Sequence, residues 1–202
     1  MQITYVNRKQ QTYYLYQGKT KTGKPRYFFS QKSESTLPES ALSERAIVEE
    51  IPNGYEIYEN PNSQVFLRKI LVKIITDSEI SCVEKGLKQF SSLKDFLIDV
   101  KKQTISVFTP NQNLEALEAL MSSSKHLRSP EETQAVLAKS ITYSADLRFV
   151  LLNKATRVFQ TERFCYLGKI DDWIEIGAAG KLETLVKAYA PHVGQESLYE
   201  LY

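Results

Sequence analysis

No acidic side chain occurs before Glu34, although the 202-residue chain carries 24 of them. The first 33 residues hold seven Lys or Arg, so this opening sixth has a charge of +7 and the remainder −5. Histidine and cysteine are scarce, two of each. A closed zinc site would need His126, His192, Cys82 and Cys165 to converge from distant positions. With no C-x-x-C spacing either, neither a metal centre nor a disulfide framework is expected. Thiols used as small buried hydrophobes fit a reducing, cytoplasmic setting. The longest aliphatic or aromatic runs, such as YYLY and FVLL, are four residues long, and no charged start leads into an apolar segment. The pattern therefore predicts no signal peptide, no membrane span and no membrane partner.

What the chain does have is 42% hydrophobic residues, ample for a packed core. Tyr and Phe crowd residues 12–17 and 26–30 on either side of GKTKTGKP, whose glycines and proline supply turn chemistry. This predicts a β-hairpin with a long basic tip formed by Lys19, Lys21 and Lys24. Thr36 and Glu39 stand at capping-box spacing with Pro38 in the first turn, which predicts a helix ending at Pro52 with Leu42, Ile47 and Ile51 on its apolar side. Two β-rich runs around residues 60–63 predict a second hairpin, its outgoing strand extending to Ile75.

From Thr76 the period changes. Ile80, Val83, Leu87 and Phe90 share a helical stripe, and Thr76 and Glu79 repeat the capping-box spacing. FLIDV and TISVF flank a KKQ turn, a third hairpin, and NLEALEALM is helix-favouring. Ser129, Pro130 and Glu132 announce another helix, and residues 122–129 a polar surface loop. Three strand-like runs follow, in ITYSADLRFVLL, TRVFQTERFCYL and DWIEIG, then a helix from Gly180 to Tyr189 stopped by Pro191. Short turns imply antiparallel pairing. The expected fold class is α+β, antiparallel β-hairpins packed with several helices. Residues 1–75 form one expected region, two hairpins joined by a helix, and residues 76–202 the other.

Four constellations bear on chemistry. Cys165 with His192 would make a nucleophilic pair if the fold joined them, with Arg163 sharing the face of Cys165. GAAGK at residues 177–181 follows a strand, but lacks the spacing and the Ser or Thr of a phosphate-binding loop, and reads as a flexible strand-to-helix turn. Asp171 and Asp172 are adjacent and point opposite ways in an extended segment. Asp99 and Lys101, with Asp77 upstream, match the end of a metal-dependent nuclease pattern. No catalytic residue, metal site or cofactor is assigned from these, and a non-enzymatic role is favoured.

The basic hairpin is the clearest departure from an ordinary core composition. A β-ribbon can bring lysines to phosphates while aromatic rings offer flat surfaces to bases or brace the ribbon from behind. The expected function is therefore that of a nucleic-acid-binding accessory protein, with DNA or RNA as partner. The expected contacts are Lys19, Lys21, Lys24, Arg26, Lys32, Arg8, Lys9, Tyr14 and Tyr16. The competing readings are a protein-interaction or assembly module, whose ribbon meets another protein or a second copy, and the nuclease built on Asp77, Asp99 and Lys101. Strand-tip lysines also serve simply to discourage aggregation.

Overall fold

The aromatic flanks of the basic tip pair as strands because their side chains can be buried on both faces at once. The computed structural model describes residues 2–33, 35, 45–113, 136, 139–167 and 170–202. They fall into two units, Met1–Ile70 and Leu71–Tyr202. In the first, β1 (Thr4–Val6), β2 (Thr12–Lys19), β3 (Pro25–Ser30) and β4 (Ala46–Ile47) form one antiparallel sheet. β2 is its centre, with β3 along one edge and β1 and β4 in succession along the other. Leu15 and Tyr16 point to opposite faces and are both fully buried.

β5 (Tyr55–Glu59) and β6 (Val65–Lys69) make a separate two-stranded sheet. Its turn, residues 60–64, repeats the turn between β1 and β2, residues 7–11. In each, an Asn side chain accepts from the amide of a Gln four residues on, Asn7 from Gln11 at 2.8 Å and Asn60 from Gln64 at 2.9 Å. Each also has one left-handed residue, Gln10 or Ser63. The twin turns are tied together, since Asn7 Nδ2 donates to Ser63 O at 2.8 Å.

The second unit is a two-layer structure. β7 (Leu97–Lys101), β8 (Thr104–Pro110), β9 (Tyr143–Asn153), β10 (Val158–Leu167) and β11 (Ile170–Lys181) form an antiparallel meander in chain order. α1 (Asp77–Phe90) and α2 (Leu182–Tyr189) pack on one face of it. Val83 and Leu87 of α1 and Leu185 and Val186 of α2 meet Ile105, Val107, Leu147, Phe149 and Ile176 from the sheet. Burying such side chains supplies roughly 1.5–3 kcal/mol apiece relative to exposure.

The entry to α1 is built as its sequence spacing predicts. Glu79 N donates to Thr76 Oγ1 at 3.3 Å, and Thr76 N donates to Glu79 Oε2 at 2.9 Å. Arg157 adds a second constraint, donating through Nε to Glu79 Oε1 at 2.8 Å. Burial alone would raise the Glu79 carboxyl, but the Arg157 and Thr76 bonds outweigh it and hold the group below its ordinary value. Thr76→Ala should cost about 1 kcal/mol in chemical denaturation. Glu79→Gln should cost more, about 2 kcal/mol, because it also breaks a charge-assisted pair. A depressed carboxyl contributes stability above its unfolded pKa and loses it as pH falls through the folded one, so the Glu79→Gln deficit should vanish in acid. A deficit that persisted unchanged there would contradict this account.

The α+β expectation is overturned. Strand exceeds helix by 44% to 21%, and instead of several helices on hairpins there are three antiparallel sheets with two α-helices among the described residues. Three local readings account for much of the difference. Residues 46–47 are a strand: Ile47 is 37% exposed, Val48 is buried, and Val48 N donates to Leu15 O. The pairing edge of β2 wins over the helical period of Ile47 and Ile51. β6 stops at Lys69, and Ile75 is buried among the helices of the second unit. GAAGK is the last part of β11, with α2 beginning at Leu182. Thr36, Glu39, Leu42, the helix expected over NLEALEALM, the residues Ser129, Pro130 and Glu132 that announce the next one, and the loop at 122–129 with His126 lie outside the described residues, while Val136, Lys139 and Ser140 are helical. No helix among the described residues is long and apolar enough to cross a membrane.

Candidate functional site

The β2–β3 hairpin carries four cations at its tip. Tyr16 pairs with Phe28, Gly18 with Arg26 and Lys19 with Pro25, so both strands run further toward the tip than the aromatic pattern implies. The loop is residues 20–24. Thr20 N donates to Lys24 O at 2.8 Å, Gly23 N to Thr20 O at 2.9 Å, and Lys24 N to Thr20 Oγ1 at 3.1 Å. Gly23 has φ +77°, which an L side chain adopts only at a cost, so this turn needs a glycine there. Lys21 is therefore in a folded turn and not one step along an extended strand from Lys19.

Lys19, Lys21, Lys24 and Arg26 are all exposed. None makes an ion pair among the described residues. The other expected contacts are placed differently. Tyr16 is wholly buried, with its ring 6.0 Å from that of Phe28 and its hydroxyl donating to Lys32 O at 3.1 Å. Its ring is core and cannot stack on a base. Arg8 is committed to the twin-turn junction: its Nε lies 2.8 Å from Glu59 Oε1, its backbone N–H donates to the same oxygen, and Nη2 donates to Asn60 O. Burial raises Glu59, but the Arg8 bonds and the Tyr5 hydroxyl outweigh it and keep the carboxyl below its ordinary value. Lys9 is partly buried beside Arg8, Tyr14 is half-buried on β2, and Lys32 is exposed beyond β3.

The residues of the nuclease and Cys–His readings are not brought together. Asp99 and Lys101 lie on the sheet face opposite the helices, because Ile98 and Val100, which alternate with them, pack against the core. Asp77 sits in the first turn of α1, in the helical layer, and pairs with Lys73 at 2.6 Å. No group of three His, Cys, Asp or Glu among the described residues could hold a metal ion. His192 Nδ1 meets Ser197 Oγ at 2.9 Å, with no hydrogen bond to the buried Cys165. Asp171 and Asp172 are successive, exposed residues of β11.

Sequence reading missed two features of the second unit. On the sheet face opposite the helices, Arg148 lies 2.5 Å from Glu162 and 4.2 Å over the Trp173 ring, and Phe164 stands edge-on to Trp173. Cross-strand registers create this cluster, and only the alternation of RFCY hinted at it. At one end of the sheet, two adjoining clefts of about 370 and 460 Å³ open beside Thr109, the second also beside Asp146. A β9 bulge places Asp146 at the second, and nothing in the local sequence announces it.

The geometry defines a mostly-β chain in two units with an exposed basic ribbon on the first. No protein-family model, curated protein or solved structure matches the chain, so the functional reading rests on its own residues.

Proposed function

We propose that the chain binds nucleic acid through the phosphate backbone, using the β2–β3 tip. The observation that supports this is how the cations of the first unit are divided. Arg8 and Arg68 are each spent on a glutamate, Glu59 and Glu56, both at 2.8 Å. Lys19, Lys21, Lys24 and Arg26 project from one hairpin end with no such partner among the described residues. Cations clustered at a ribbon tip gain most from a ligand that presents phosphates at short intervals. The net −5 of the sequence beyond residue 33 works against broad contact. Binding is local, driven by phosphates and indifferent to base sequence.

Fluorescence anisotropy of labelled single-stranded and duplex DNA and RNA tests this. Neutralising four phosphates on a duplex gives a slope of about −3.6 in log affinity against log salt, which is roughly a 150-fold loss between 50 and 200 mM. Replacing Lys19, Lys21, Lys24 and Arg26 together by Ala should remove both the binding and the slope while leaving the melting temperature in place. Unchanged affinity in that variant rejects the assignment. Salt-sensitive self-association without nucleic-acid binding would make the ribbon a protein-docking element instead.

A further inference from the structure

The 460 Å³ cleft of the second unit holds a carboxylate, Asp146, that has no cation among the described residues. Val107 pairs with Leu147 and Phe108 with Ala145, so Asp146 falls in a β9 bulge without a partner on β8. The bulge turns it toward Thr109, whose hydroxyl donates to Oδ2. The other oxygen, Oδ1, accepts no hydrogen bond and Asp146 forms no ion pair among the described residues. Tyr166 and Tyr199 line the same 460 Å³ cleft with Ser144 and Asn111.

Among the described residues, the carboxylates around this space favour a positive guest, and the cations near it are engaged elsewhere. Glu196 is on the cleft wall beside the two tyrosines. The adjoining cleft carries Asp95, which accepts from the Tyr143 hydroxyl, and Lys94, which is already engaged. Arg163, near the Tyr199 ring, directs Nε and Nη2 to backbone carbonyls of residues 201 and 199. Burial pushes Asp146 above its ordinary value despite the Thr109 bond. Burial, and then the Asp146 charge, push Tyr199 up as well. A desolvated carboxylate flanked by aromatic rings is relieved by an ammonium ion, which gains a charge-assisted hydrogen bond and attraction to the ring faces. An anion would meet Asp146 and Glu196, and a neutral polyol would leave the carboxylate uncompensated.

We propose that this cleft binds a small aliphatic amine, with Asp146 as counter-ion and Tyr166 and Tyr199 as its aromatic walls. The probe is putrescine, with 1,4-butanediol as its neutral analogue, in calorimetric titrations of the full chain near neutral pH. Saturable putrescine binding is expected, with none for the diol. Asp146→Asn keeps an acceptor for Thr109 and should weaken putrescine at least tenfold. A carboxyl raised on folding favours the native state at low pH and withdraws that contribution as pH rises through its folded pKa. The Asn variant should therefore melt no lower than the parent at pH 7. Tyr166→Ala, at an exposed position, should weaken putrescine several-fold and decides the matter if the Asn variant does not fold. Equal binding of the diol, no putrescine binding, or unchanged affinity in a folded Asp146→Asn or Tyr166→Ala variant overturns the proposal.

Discussion

Gly177→Ala is expected to destabilise the second unit by about 3 kcal/mol, summing left-handed strain of roughly 1–2 kcal/mol with a steric and hydrogen-bond loss of similar size. Its φ is +61°, and an added Cβ would lie 1.9 Å from the Tyr189 hydroxyl. That hydroxyl donates to Ile176 O at 3.2 Å, so the ring cannot retreat without breaking a bond. The glycine lies where β11 departs from regular pairing. Phe159 pairs with Gly180 but Thr161 with Ile176, leaving Gln160 opposite residues 177–179. Buried Gln160 fills the gap, donating to the carbonyls of Thr161, Ile176 and Gly177. Chemical denaturation measures the effect, and a change within about 0.5 kcal/mol of zero would contradict it. Gly23→Ala is the comparison, because it carries the strain of φ +77° with nothing within 4 Å of the new methyl. Combining Gly177→Ala with Tyr189→Phe, which removes the obstructing oxygen, should cost less than the sum of the two.

This bulge also shows where sequence reasoning stops. GAAGK looks like a turn because its residues are small and a helix follows, yet those residues remain in β11 by virtue of Val158 and Phe159 on the neighbouring strand. The same holds for residues 46–47, which take strand geometry from the edge of β2. Where structure is set within a dozen residues, the sequence is explicit. The capping box of α1, the buried stripe through Val83 and Leu87, and the β2–β3 turn all follow from spacing and turn chemistry. The exposed cations of the hairpin were legible because charge is a local property. The burial of Tyr16 was not, because it depends on what covers each face of β2. Arg8 reads as one more cation until Glu59, 51 residues away, takes it. Asp146 gave no signal at all, since its surroundings are created by a register shift between β8 and β9.

Arg163→Ala should have the larger structural reach. Arg163 is 4% exposed and is aimed at the final segment of the chain, donating to Tyr199 O at 3.0 Å and Leu201 O at 3.1 Å. Its guanidinium also lies 5.9 and 6.0 Å from the Tyr199 and Tyr202 rings. A buried cation is costly to desolvate, and here carbonyl dipoles and ring faces offset that cost in place of a carboxylate. Truncation removes two charge-assisted bonds and leaves two carbonyls short of donors, a loss of about 3–4 kcal/mol after the relief of desolvation. The 3₁₀ turn Glu196–Glu200 should loosen first, because Leu198 is its one buried side chain. Amide exchange should show lost protection at residues 198 and 201 before the sheet is affected. Arg163→Lys should not restore it, since one ammonium cannot reproduce a fork that spans two carbonyls. Tyr199 and Glu196 reach the cleft from this segment. Putrescine affinity should therefore fall in Arg163→Ala although Arg163 never meets the amine. Full protection of residues 198 and 201 in that variant would show that apolar packing, not the guanidinium, holds the segment in place.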